Sequence, residues 1–432
     1  MSRLRDVLER LVGASGAERA VISIAALVLS ILVGAVIVFV SGLGAACDAG
    51  ANYHLAIPLP GSFEILLFDG RLSLFGYKSC YDPINVYAKL FVGAIGGLPW
   101  ESGWQPTNLS MEVLLRRMTL LLFAGLSVAV SFRAGLFNIG TQGQMVWGAL
   151  VSAVTVLFVA DFAPAGLAGT VILLPLALFS GAVAGGIWGA IPGALKAYAD
   201  ANEVITTIML NFVASFGATL MIKLFFQDPE YSNIGTRRIP VNSLVPSLPM
   251  GFQGTRSSIL ALIFALLFAF IVYFVLWGTS FGFDVRTSGL QPEAATYAGV
   301  NAERTIVRSM TISGALGGIA GALWVLLSTG RMLSGGDVAG GSLGFDGITV
   351  SVLAGNNPIG VIFGSALFGV LKSGRNAVNF QTDVPPELVE VLPGLIILFV
   401  AMPEFFRMIG KRIGLDSGQG SNVRTDGGED DE

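Results

Sequence analysis

The stretch that decides the fold reads Ser131-Phe-Arg-Ala-Gly-Leu-Phe-Asn-Ile-Gly-Thr-Gln-Gly-Gln-Met145. It joins an apolar segment, 118–132, to another that runs on toward residue 160, yet it is rich in amide side chains and glycines. Amide side chains at membrane depth are costly unless they meet partners or water. Neighbouring glycines allow a helix to break, so that its free backbone groups face a cavity. The stretch therefore predicts a broken membrane helix near residues 133–145.

The composition of the whole chain agrees with a membrane location. Of 432 residues, 53% are hydrophobic and 12% are charged, against roughly 25% charged in an ordinary soluble domain. The mean hydropathy is +0.73. A soluble fold of this size could not cover that much apolar surface. The apolar runs are continuous rather than alternating with period two, which predicts an all-α membrane protein rather than a barrel.

About 20 apolar residues cross a bilayer as a helix, and the uncharged runs predict about ten such helices. Single spans are expected at about 21–41, 113–132, 137–160, 169–195, 204–226, 258–278, 305–329 and 388–407. Two short helices are expected within 347–371, because Gly355-Asn-Asn-Pro358 disfavours a continuous helix there. A single span would instead place the basic carboxyl-terminal flank outside, against the positive-inside rule.

This topology divides the chain into five parts. They are a cytoplasmic amino terminus (1–20), a first transmembrane helix (21–41), an extracellular segment (42–112), a transmembrane core (113–407) and a disordered acidic cytoplasmic tail (408–432). The apolar run 20–46 is too long for an ordinary signal peptide, so a retained helix is expected. Cys47 and Cys80 both fall in the outer segment, where they could form a disulfide or stay as two free thiols.

The polar side chains of the predicted break are candidates for a solute pathway. They are Asn138, Thr141, Gln142 and Gln144, joined by Asn211 in the middle of an apolar helix. Amides both donate and accept hydrogen bonds, which suits a neutral polyhydroxyl or base-like solute. The alternative is that they bond one helix to another. Asn202 is expected to cap the helix that contains Asn211.

The loop 279–304 is predicted to lie on the inner side of the membrane. Its stretch Gln291-Pro-Glu-Ala-Ala-Thr-Tyr-Ala298 predicts a short helix, because Pro292 suits the first turn, Glu293 suits the positive end of the dipole, and Gly299 follows. A short helix on this face could be bound by a motor subunit.

Neither a catalytic site nor a metal site is predicted. The sequence has no Gly-x-x-x-x-Gly-Lys-[Ser/Thr] loop for nucleotide phosphates. His54 is the only histidine, and no cluster has metal-ligand spacing. No cofactor in this chain and no nucleic-acid partner are expected.

Four ordered motifs resemble a known family. Phe132-Arg-Ala-Gly-Leu-Phe-Asn-Ile-Gly-Thr-Gln-Gly-Gln-Met145 and Gly289-Leu-Gln-Pro-Glu-Ala-Ala-Thr-Tyr-Ala-Gly-Val300 resemble the nucleoside and simple-sugar branch of ABC transporter permeases, which is related to the ribose and branched-chain amino acid permeases. Residues 202–211 and 344–358 are similar to the same family. The resemblance runs from about residue 85 to 407.

The resemblance implies a type II ABC importer permease with about ten helices. Its partners would be an ABC ATPase subunit that binds ATP and Mg, a second permease chain in a heterodimer, and an extracellular solute-binding protein. The match identifies the loop 279–304 as the coupling segment, with Gly289, Pro292, Glu293, Ala294 and Gly299 contacting the ATPase. Solute is expected to arrive at outer loops such as 227–257 and to cross by alternating access.

Two other classes of protein are weighed against this one. An ion-coupled secondary transporter needs an ionisable or carbonyl-rich site at mid-membrane. The predicted spans hold almost no acidic residue, and Glu203 lies at a helix end. A membrane scaffold protein would have no reason to carry both an amide-rich break and a helical inner loop. The sequence therefore favours an importer permease of the plasma membrane.

Overall fold

The computed structural model describes most of the chain. The described residues are 16–43, 45, 53–59, 63–70, 73–74, 77–100, 104–245, 259–328, 330–335, 338, 341–396 and 398–399. They divide into two compact units, of which one holds the residues before 37 and after 393 and the other holds 37–393. The predicted acidic tail, Cys47 and the end of the predicted helix 388–407 lie outside the described residues.

The outer segment departs from the all-α prediction. After helix α1 (Gly16–Leu43) come four strands, β1 (Tyr53–Leu59), β2 (Phe63–Gly70), β3 (Ser73–Leu74) and β4 (Tyr77–Lys78). They pair antiparallel as β1 with β2 and β3 with β4. The first two strands are rich in aromatic and aliphatic residues, and Pro60-Gly-Ser62 separates them in the sequence, which is a hairpin pattern. Helix α2 (Pro83–Phe91) follows the strands within the same segment.

The described part of the core is built mainly from helices. Its helices are α3 (Leu109–Arg133), α4 (Thr141–Val159), α5 (Leu167–Ala199), α6 (Glu203–Met221), α7 (Ile259–Gly278), α8 (Ser280–Leu290), α9 (Pro292–Tyr297), α10 (Ala302–Leu327), α11 (Leu343–Leu353) and α12 (Pro358–Gln381). Residues 386–396 are also helical. Among the described residues, six helices are long and apolar enough to cross a membrane, namely α3 to α7 and α10.

Several local predictions are confirmed. The helix breaks between Arg133 and Thr141, and the stretch 347–371 is divided between α11 and α12, with Pro358 as the first residue of the second helix. Asn202 caps α6 by accepting hydrogen bonds from two backbone N–H groups of its first turn. The short helix α9 begins at Pro292, whereas α8 before it was not predicted.

Helix α10 forms the centre of the core. Of the 18 residues in its most apolar stretch, 83% are buried. A Cβ atom placed on Gly185 of α5 would lie 2.6 Å from the Cα of Gly318 and would also overlap the carbonyl of Gly314. The glycines of α5 and α10 thus allow their backbones to touch, which is the close packing that their spacing predicts.

Candidate functional site

The break between α3 and α4 runs back into the helical bundle. The Thr141 hydroxyl lies 3.2 Å from that of Ser127, and Ser127 precedes the last residue of α3, Arg133, by six positions (133 − 127). At 1.5 Å per residue, α4 therefore starts about 9 Å above the end of α3. Residues 134–140 are non-helical backbone at that depth, so their polar groups need partners within the protein.

Helix α6 supplies the first set of partners. Asn211 accepts a hydrogen bond from the N–H of Gly143 at 2.8 Å and donates one to the carbonyl of Ile139 at 3.0 Å. Thr207, one turn earlier, accepts from the N–H of Ile139 at 3.3 Å. One face of α6 thus satisfies backbone groups on both sides of the point where α4 begins.

Helix α10 and the break itself supply the second set. Asn138 accepts from the N–H of Gly140 at 2.8 Å and donates to the Ser313 hydroxyl at 2.8 Å. Ser313 donates in turn to the carbonyl of Ser127 at 2.6 Å. The amides of Asn138 and Gln144 lie 3.4 Å apart. These side chains form a closed network that joins α3, α4 and α10.

Gln142 connects the break to a second non-helical stretch. Its amide donates to the carbonyl of Val338 and accepts from the N–H of Gly344 at 2.7 Å. A Cβ atom on Gly344 would lie 2.5 Å from the Cα of Gln142. The start of α11 therefore lies directly against the start of α4.

The end of the break next to α3 contacts helix α8 through two backbones. A Cβ atom on Gly289 would overlap the Arg133 carbonyl and would lie 2.8 Å from the N–H nitrogen of Gly135. Gly135 has φ +74°, a left-handed conformation that favours glycine. No side chain separates the two segments, so a displacement of α8 must also displace the break.

Arg133 binds the same end to two further elements. Its guanidinium donates to the carbonyls of Asn356 at 2.8 Å and Gly355 at 3.0 Å. It also lies 5.0 Å from the ring centroid of Trp277, at the end of α7. The carbonyls follow α11, whose carboxyl end carries partial negative charge and favours a cation.

Comparison with known proteins identifies the family of this chain. The family described as branched-chain amino acid transport system / permease component matches residues 110–401.

The chain belongs to this permease family.

Named relatives agree. The nucleoside ABC transporter permease protein NupB of Lactococcus lactis is 34% identical over 74% of this chain and 84% of its own length. The guanosine ABC transporter permease protein NupP of Bacillus subtilis is 35% identical over 82% and 95%. The glucose ABC transporter permease protein TsgB13 of Haloferax volcanii is 32% identical over 78% and 84%. No solved structure matches the chain. The family resemblance expected from the motifs is confirmed, and the permease is a multi-pass protein of the plasma membrane.

The five predicted pathway residues of the permease come together in one place. Asn138, Thr141, Gln142, Gln144 and Asn211 are all buried, with 0–6% exposure. Their polar groups bond to the protein, which is the helix-to-helix role given above as the alternative. Ser127, Thr207 and Ser313 complete the network. No local signal distinguishes the two serines from others in small-residue helices, and their role as partners follows only from the packing.

The predicted ATPase contacts of the permease divide into two groups. Glu293, Ala294 and Gly299 are exposed, whereas Ala295 between them is buried and anchors α9. Gly289 faces the break instead, as described above. For Pro292 the structure gives the backbone position, as the first residue of α9.

One ion pair of the permease was missed by sequence reasoning. Asp346 at the start of α11 lies 2.6 Å from Lys372 of α12, and their side chains are 18% and 29% exposed. The two residues stand at the two ends of one uncharged stretch of sequence. Each was therefore interpreted as lying at the edge of a membrane-spanning segment.

Metal ligands and the predicted disulfide add little to this site. In the described part of the permease, no three His, Cys, Asp or Glu residues are grouped to hold a metal ion. Cys80 is disulfide-bonded. The only other cysteine, Cys47, lies outside the described residues, and its pairing stays a prediction.

Proposed function

We propose that this permease is the membrane subunit of an ABC importer that carries a nucleoside or a monosaccharide. The relatives named above, which carry nucleosides, guanosine or glucose according to their names, support this solute class. The observation that carries the mechanism is the backbone contact between Gly289 and Gly135. It connects the segment expected to dock on a motor to the one interrupted helix that is packed with amides.

The importer would contain three other kinds of subunit. A separate ATPase would bind ATP and Mg and would dock on the exposed side of α9. A second, different permease chain would complete a heterodimer, and an extracellular solute-binding protein would deliver the solute. In the assembly, α1, α11, α12 and the helix at 386–396 would add to the six long helices to give about ten in a type II arrangement.

Transport would proceed by alternating access. Closure of the ATPase pair would push α8 and α9, and the contact of Gly289 with Gly135 would displace the break. The network of Asn138, Gln142 and Asn211 is closed in this conformation. When the break moves, these amides would exchange protein partners for the hydroxyl or base groups of the solute, so that neither the amides nor the solute is left unbonded at membrane depth.

The test is uptake by proteoliposomes that contain the assembled transporter, with loaded solute-binding protein outside and ATP inside. Labelled nucleosides and labelled monosaccharides are compared in parallel. Uptake of one class is expected with ATP and not with a non-hydrolysable analogue.

The ion-coupled alternative makes the opposite prediction for the same vesicles. The pair Asp346–Lys372 is the observation in its favour, because it places ionisable groups within the bundle. If uptake continues without ATP and follows an imposed proton or sodium gradient, the importer proposal is wrong.

A further inference from the structure

A second cavity lies far from the amide network, at the other end of α4. It has a volume of about 560 Å³ and is formed by the last turns of α4, the end of the helical segment that follows α6, and residues 237–240. The predicted topology places this end outside the cell. Its aromatic lining is Phe158, Phe225 and Phe226, and its polar lining is Asp161, Gln227, Arg237 and Arg238.

One wall of the cavity is aromatic, and its rings are exposed at the surface of the chain. Phe158 meets Phe226 edge to face, with ring centroids 6.4 Å apart and planes at 85°. Phe158 is 66% exposed and the neighbouring Phe225 is 67% exposed. Exposed rings beside charged groups are suited to stacking against a ligand that also carries polar groups.

The charged groups of the cavity do not form ion pairs with one another. Among the residues that the structure describes, Asp161, Arg237 and Arg238 form no ion pair within 4.0 Å. Arginines on an outer face also run against the usual bias of membrane proteins. A carboxylate, an amide and two guanidinium groups therefore surround a space next to three aromatic rings, with hydrogen-bonding capacity left for a ligand.

We propose that this cavity binds the transported solute as it enters the permease. The ligand class is a ring with one face for stacking and several hydrogen-bonding groups at its edge, as in a nucleoside or a hexose. Phe158 and Phe226 hold the ring, while Asp161 and Gln227 bind hydroxyl or base N–H groups and the arginines bind acceptor oxygens. The volume lies in the range of small-molecule sites, roughly 300–1,000 Å³. This inference rests on the proposed function, since it assigns the entry site of the same solute.

The experiment measures direct binding to the reconstituted permease–ATPase complex without the solute-binding protein. Guanosine and glucose are the two probes, and saturation-transfer NMR gives the affinity of each. Phe158→Ala should weaken the bound probe about tenfold, because base–aromatic stacking is worth about 1–3 kcal/mol. Asp161→Asn should also weaken it while keeping the size of the side chain. Phe363→Ala is the control, because Phe363 is 73% exposed on α12 and does not line this cavity.

The outcomes separate the two proposals. Tighter binding of guanosine assigns a base-stacking site, and tighter binding of glucose assigns a sugar site. No saturation transfer to wild-type protein, or equal binding by wild type, Phe158→Ala and Asp161→Asn, overturns the entry site. If wild-type vesicles import a solute with ATP but the variants bind and import it equally well, only the entry site fails. If they import neither class, the proposed solute class fails.

Discussion

Residues 134–140 and residues 354–357 both join two helices of the core through non-helical backbone, and they differ in what satisfies that backbone. At 134–140 the partners come from distant helices, since Asn211 and Thr207 of α6 bond to Ile139 and Gly143. At 354–357 the backbone N–H groups bond locally, while the carbonyls of Gly355 and Asn356 accept from Arg133. Asn357 accepts from the N–H of Ile359 at 2.9 Å.

This difference predicts how each region responds to change. A break whose hydrogen bonds cross between helices cannot move without exchanging partners in several elements at once. A turn whose backbone N–H groups all bond locally can move as a rigid corner. The break at 134–140 is therefore suited to a two-state joint, and the turn at 354–357 to a fixed support that Arg133 holds to α3.

The largest effect is expected where the break meets α8. Gly289→Ala should reduce ATP-driven uptake on the order of 100-fold, because displacing a coupled element by about 1 Å can cost that much. The added methyl overlaps the Arg133 carbonyl. Uptake into proteoliposomes is the measurement, with the amount of assembled complex and its basal ATPase rate measured alongside.

The matched control is Gly217→Ala in α6. There a Cβ atom would meet only Trp147, at an ordinary 3.5 Å, so uptake should stay near that of the wild type. If Gly289→Ala transports as well as Gly217→Ala, the contact between α8 and the break does not transmit motion.

The ion pair between Asp346 of α11 and Lys372 of α12 tests whether the stability of the region around the local turn also depends on a contact between the two helices. Lys372→Met leaves Asp346 without its 2.6 Å partner in a mostly buried position. Breaking such a pair costs about 3 kcal/mol or more. The free energy of unfolding in mixed micelles is the measurement.

The double variant Lys372→Met, Asp346→Asn sharpens that test. It should recover most of the loss, because no uncompensated charge remains. A double variant that is as unstable as the two single changes added together would show that the pair contributes no coupling across α11 and α12.

Substitution of an amide in the network of the break is expected to have the next largest effect. Asn211→Leu removes the acceptor for Gly143 and the donor to Ile139, and each unsatisfied buried group costs about 1–3 kcal/mol. Both stability and uptake should fall. Asn202→Leu on the same helix is the comparison, because it removes only an exposed cap. Equal effects from both changes would mean that the distant bonds of the break are no more important than a local cap.

The sequence predicts the features that depend on local partners and misses those that depend on distant ones. The break was predicted because glycines and amides are concentrated within 131–145, and the corner at 355–358 because Pro358 cannot continue a helix. The contact of Gly289 with Gly135 was not predicted, because it joins residues far apart in the chain whose only shared feature is the lack of a side chain. The pair Asp346–Lys372 was missed for another reason, because each charge ends an uncharged run and was interpreted as a membrane flank. The hairpin of β1 and β2 carries a local signal, in its aromatic and aliphatic residues on either side of Pro60-Gly-Ser62.

The smallest effect is expected at the local turn itself. Asn357→Ala removes one capping bond to Ile359 and should cost about 1 kcal/mol of unfolding free energy, the usual value for an N-cap. Uptake should change little, because the other backbone bonds of the turn remain, including the one from Asn356 to Ser351. Asn357→Asp, which keeps an acceptor oxygen, should restore the stability. If Asn357→Ala instead abolishes uptake while the protein stays folded, the turn moves during transport, and the contrast between a mobile break and a fixed corner would have to be given up.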